Sequence, residues 1–120
     1  MILIAVMAFS GVASASYVTN SGSKTIYHDG YKDVWQYNIV HYNKNHVVVK
    51  IKLTMIYSYG GSSSAYVYTD LKKTSKNKIK IKVTTGSGGY KVTKTGYVHS
   101  SMSISTLGKK LLSSMKKEMS

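Results

Sequence analysis

Cysteine, proline and arginine are all missing from this chain of 120 residues. Without cysteine there is no disulfide, no thiolate nucleophile and no thiolate metal ligand. Without arginine there is no planar fork for bidentate recognition of phosphates or base edges. All 17 basic residues are therefore lysines, compact point charges on flexible stems. Acids are almost as scarce: Asp29, Asp33, Asp70 and Glu118 are all there are, and the formal net charge is +13. Such an imbalance repels itself, keeps the chain soluble and draws in anions. The surplus of Lys, Asn, Ile, Tyr and Ser matches the bias of AT-rich prokaryotic coding sequence, a bland origin for many of the lysines.

The shortage of acids bears on catalysis. Paired-carboxylate chemistry needs two acids in different environments. Asp29 and Asp33 share one turn region, where Asp is common for its local hydrogen bonding. Asp70 is expected to pair with Lys52 and Lys80. The histidines are His28, His41, His46 and His99. None lies in a His-x-His or His-Glu-x-x-His spacing, so no metal site is expected. No serine sits in Gly-x-Ser-x-Gly. The glycine-rich stretches 60–64 and 86–89 lack the Gly-Lys-Ser/Thr ending of a phosphate loop and are read as hairpin turns. No catalytic residue and no cofactor is expected, and the chain is read as non-enzymatic.

What is present begins with an apolar run, Ile2 to Phe9, then Ser10, Gly11, Val12 and the small residues Ala13-Ser14-Ala15. This is the pattern of a signal-peptide core with cleavage after Ala15, although no basic residue precedes the run. It is too short to span a bilayer. The expected organisation is a signal peptide over 1–15, a flexible leader over 16–23, and one β-rich domain over 24–120. The implied location is secreted or cell-surface.

The strongest pattern is Val47 to Tyr57. Val47, Val49, Ile51, Leu53, Met55 and Tyr57 point one way; Val48, Lys50, Lys52, Thr54 and Ile56 point the other. Val34 to Tyr42 alternates likewise, and Asn43-Lys44-Asn45 makes a short hairpin loop. Symmetrical pairing sets His41 opposite Val47, Ile39 opposite Val49, Tyr37 opposite Ile51 and Trp35 opposite Leu53. A one-residue slip would send the apolar set to the wrong face. Lys24 to His28 is expected as a short edge strand. The next hairpin, through Gly60-Gly61-Ser62-Ser63, is expected to set Met55 opposite Val67, Leu53 opposite Thr69 and Ile51 opposite Leu71. Ile79, Ile81 and Val83 extend the apolar face, Val92 falls near Val83, and Gly96 marks a bulge before a further strand from Tyr97 to Ser105.

The last segment changes period. Leu107, Leu111, Leu112, Met115 and Met119 share one helical sector, with lysines opposite, which predicts a helix over 106–119 capped by Ser105 or Thr106. The fold class is mainly β: an antiparallel meander of about six or seven strands, either sandwich-like or a single curved sheet, with one C-terminal amphipathic helix packed on it.

One constellation suggests a function. Lys50, Lys52, Tyr66, Tyr68, Lys80 and Lys82 are expected on the sheet face away from the core. Lysines attract an anionic polymer and tyrosine rings stack on flat apolar surfaces. Alternating lysines also describe an ordinary solvated strand face, where they discourage aggregation. The partners implied are an anionic polysaccharide or an anionic membrane surface, without specific nucleic-acid recognition. A second class of function is a secreted, bacteriocin-like antagonist, either membrane-active through its basic helix or inhibiting an enzyme.

Overall fold

The computed structural model describes residues 16–119; the expected signal peptide over 1–15 lies outside them. Six strands follow one another in space as in sequence: β1 (Tyr17–His28), β2 (Tyr31–Asn43), β3 (His46–Tyr57), β4 (Ser62–Ser75), β5 (Lys78–Ser87) and β6 (Tyr90–His99). All neighbours are antiparallel. The chain ends in one helix, α1 (Ile104–Glu118). The sheet is a single open layer, not a sandwich, and α1 packs on one side of it.

The β2–β3 register matches the symmetrical pairing, including Ile39↔Val49 and Trp35↔Leu53. The turn fixes it: Asn43 Oδ1 accepts a hydrogen bond from Asn45 N at 2.8 Å, closing a short loop. β3–β4 differs by four residues from the expected pairing, with Ile51↔Val67, Val49↔Thr69 and Val47↔Leu71. Gly60 and Gly61 both have positive φ, 103° and 91°, so the chain reverses there and Ser62 can pair at once with Ile56. The serines at 62–64 are thus strand rather than loop.

Further corrections concern β1, β6 and the start of the helix. β1 starts at Tyr17, not Lys24, and a bulge between Thr19 and Gly22 lets this polar stretch pair with β2. Asn20 adopts φ 53° there, a conformation asparagine tolerates. β6 is continuous through Gly96 without a bulge, and Val92 pairs with Thr85 rather than Val83. No strand spans Tyr97 to Ser105; pairing ends at His99 and helix begins at Ile104. Ser103 caps that helix, its Oγ accepting from Thr106 N at 3.2 Å.

Residues paired directly across strands share a face, which gives the sheet two distinct sides. On the helix side Ile39, Val47, Val49, Ile51, Leu71 and Ile79 meet Ile104, Leu112 and Met119 of the C-terminal segment, all buried. Gly108 sits over the strands: a Cβ there would come within 3.3 Å of Val47 and 3.6 Å of Val49. A larger side chain would hold α1 off the sheet. The helix entrance is tied down by Lys73 Nζ, which donates to the carbonyls of Ser101 (3.1 Å) and Met102 (2.9 Å). At its other end Lys116 Nζ lies 4.9 Å from the centre of the Tyr37 ring. The lysines at 116 and 117 also suit the negative end of the helix dipole.

Full burial of an aliphatic side chain contributes roughly 1.5–3 kcal/mol, and this one-sided core rests on few of them. Leu112→Ala is expected to cost about 2–5 kcal/mol, because strand and helix backbones cannot collapse into the space left. Urea unfolding followed by circular dichroism measures it. A loss under 1 kcal/mol would mean that α1 contributes little to the fold.

Candidate functional site

The far face of the sheet carries the six expected residues, and the registers place them. Asn38, Lys50, Tyr68, Thr84 and Thr93 form one cross-strand row. The next row is Gln36, Lys52, Tyr66, Gly86 and Lys91. In the opposite direction come Val40, Val48, Asp70, Lys82 and Thr95, then Lys72, Lys80 and Tyr97. Lys50, Lys52, Tyr66, Tyr68, Lys80 and Lys82 therefore all lie on one face. Lys72, Lys91 and Tyr97 join them, three residues the sequence pattern did not single out. Their signal is parity: each lies an even number of positions from a named residue of its own strand or shares a row with one.

The two tyrosines form a unit. Tyr66 and Tyr68, two apart on β4, bring their ring centres to 4.6 Å, and Lys50 Nζ stands 5.2 Å from the centre of the Tyr68 ring. The Tyr66 ring lies directly over Gly86 on the next strand; a Cβ at that position would come within 2.3 Å of it. This is how an aromatic ring covers a cross-strand glycine. The ring thus lies along the sheet instead of standing away from it.

Asp70 departs from expectation. Its cross-strand neighbours are Val48 and Lys82, not Lys52 and Lys80. His46 Nε2 donates to its carboxylate at 3.0 Å to both oxygens, and the His46 ring also stacks on Tyr42 at 4.9 Å. The one acid of this face is thereby engaged at its margin, while Lys50 and Lys52 face tyrosines. The face is positive along its middle.

A second histidine–carboxylate pair lies at one end of the sheet, where His28 Nε2 donates to Asp33 Oδ2 at 2.9 Å. Asp29 occupies the adjoining turn. His41, expected on the core face, is there: only 5% exposed, it shares a 2.7 Å hydrogen bond with Thr19 Oγ1 and stacks on Tyr17 with ring centres 4.5 Å apart. Burial, and then the positive charge of Lys109, push its pKa below the ordinary 6.5. Among the described residues, no group of three His, Asp or Glu side chains is placed to hold a metal ion. No helix among them is long and apolar enough to cross a membrane.

Comparison with protein-family models, with curated proteins and with solved structures gave no match to this chain.

Two expectations follow. Gly86→Ala displaces the Tyr66 ring, and the test is loss of the Tyr66 ring contacts to residue 86 in NMR spectra, with the strands still paired. The second concerns acid. Because the fold keeps His41 neutral more firmly than the unfolded chain does, the unfolded state binds more protons below pH 6.5. His41 therefore favours the fold fully above pH 6.5, and this contribution is lost as the pH falls through the window down to the lowered value. Comparing the unfolding midpoint of His41→Gln with that of the parent between pH 7.5 and 4.5 checks it; parallel pH profiles would refute the assignment.

Proposed function

We propose that this is a non-enzymatic, secreted or cell-surface-associated protein that binds an anionic polymer, such as an acidic cell-envelope polysaccharide, through the far face of its sheet. The observation that carries the reading is the pairing of Lys50 with Tyr68 and Lys52 with Tyr66 on adjacent central strands. Cationic heads and ring faces alternate there on a rigid surface. Rows of lysine from β3, β4 and β5 supply a positive field, and the Tyr66 and Tyr68 rings, packed against each other, supply contact area at small entropic cost. The openness of a single-layer sheet fits a polymer that lies across a surface rather than one that enters a pocket.

The antagonist reading is less favoured. In its membrane-active form it needs the apolar face of α1, and Ile104, Leu112 and Met119 of this segment are buried against the sheet.

Lys50→Glu, Lys52→Glu, Lys80→Glu and Lys82→Glu together should weaken binding to polygalacturonate by upwards of about a hundredfold, at roughly 1 kcal/mol for each lysine removed from an anionic surface. Binding by the parent should also fall as salt rises. The measurement is titration calorimetry at two salt concentrations, with circular dichroism to verify the fold. A folded quadruple variant that binds as the parent does would refute the reading.

A further inference from the structure

The end of the sheet that carries the β1–β2 and β3–β4 turns is built from aromatic rings. His28, Tyr31 and Tyr57 lie side by side across three strands. His28 stacks on Tyr31 at 4.4 Å, Tyr31 tilts toward Tyr57 at 6.5 Å, and Tyr57 stacks on Tyr59 at 5.2 Å with planes 13° apart. A shallow cleft of about 380 Å³ lies at the same end; its lining also includes Tyr27, Lys32 and Ile56, which form the next cross-strand row and so face the other side of the sheet. The setting is rigid. Ser58 N donates to Gly30 O at 3.0 Å, so the two turns brace each other. Asp33 fixes the His28 ring, and Tyr57 Oη shares a 3.0 Å hydrogen bond with Ser63 Oγ.

We infer that this aromatic shelf is a saccharide-binding site, taking the pyranose rings of a glycan by stacking and distinct from the lysine-bearing face. Three observations carry it. First, the rings are more exposed than a structural role requires. Tyr59 lies in the turn, outside the strands, and remains 82% exposed while stacked. Rings so placed add little to the core, whereas fixed tyrosines present contact area at low entropic cost. Second, the polar groups are interleaved with the rings. The His28 imidazole, bonded to Asp33, and the Tyr57 hydroxyl, bonded to Ser63, stand among the ring faces. A sugar ring presents the same mixture, an apolar C–H face with hydroxyls around its rim. Third, the charge is nearly balanced. The row of rings contains no lysine, and Asp33 beside it is bound to His28. A nucleic-acid strand needs a run of cations to follow its phosphates, and a quaternary ammonium group needs acids around the rings.

Binding at the lysine face falls as salt rises and binding at the shelf does not, so the two assignments are tested separately. The probes are cello-, chito- and manno-oligosaccharides, titrated against the protein with tyrosine ring resonances observed by NMR. At least one is expected to bind, with an affinity unchanged between about 0.05 and 0.5 M salt. Tyr59→Ala should weaken it about two- to tenfold, the worth of one stacked ring, and Tyr59→Phe should restore it. The quadruple lysine-to-glutamate variant should bind these neutral sugars as the parent does. The assignment is overturned if none of the three sugars binds, if a folded Tyr59→Ala binds as well as the parent, or if oligothymidylate perturbs the same rings in their place.

Discussion

A single sheet one layer thick has an apolar face and nothing of its own to cover it. In this protein α1 is the cover, and the contact of Gly108 and Leu112 with the strands is the constraint on which the rest depends. It makes the core one-sided. It also decides which surface stays in water. Residues of β3 and β4 alternate between the helix side and the far face, and so the placement of a buried valine at 47 or 49 also places Lys50 and Lys52. Core formation and display of the lysines are one event, described from two sides of the same strands.

The same geometry explains what was legible in the sequence. In β2 and β3 the apolar sets are long, and a short asparagine turn joins them, so only one register buries both. The β3–β4 pairing was less determined. Glycines at 60 and 61, followed by three serines, leave the reversal point open, and the apolar residues of β4 sit well in more than one register. The expected pairing was four residues out. An even slip changes partners without changing faces, which is why Lys50, Lys52, Tyr66, Tyr68, Lys80 and Lys82 still fell together while the partners assigned to Asp70 did not. The polar start of β1 was illegible for another reason. Its pairing is held by backbone hydrogen bonds around a bulge, and hydrophobic periodicity carries no trace of these. The helix start was misjudged by two residues because Ile104 continues the apparent alternation of β6.

Two kinds of surface chemistry are thus divided between parts of the fold. The far face is broad and strongly positive, with the Tyr66 ring laid over Gly86 and the Lys50 ammonium over the Tyr68 ring. The hairpin end is narrow, aromatic and nearly neutral. The first was visible as alternation within strands. The second was not, because its members come from two turns and three strands and meet only when cross-strand rows bring His28, Tyr31 and Tyr57 together.

A sheet that does not close has two outer strands, and β6 is exposed along its whole length. Its outward backbone groups form a ready template for another strand. Lys91 and Lys94 stand on this border, and the chain as a whole carries +13. Two copies approaching border to border meet this charge doubled before any backbone bond can form. The excess of lysine therefore guards against fibre formation, and the guard weakens wherever a dense negative counter-surface neutralises it.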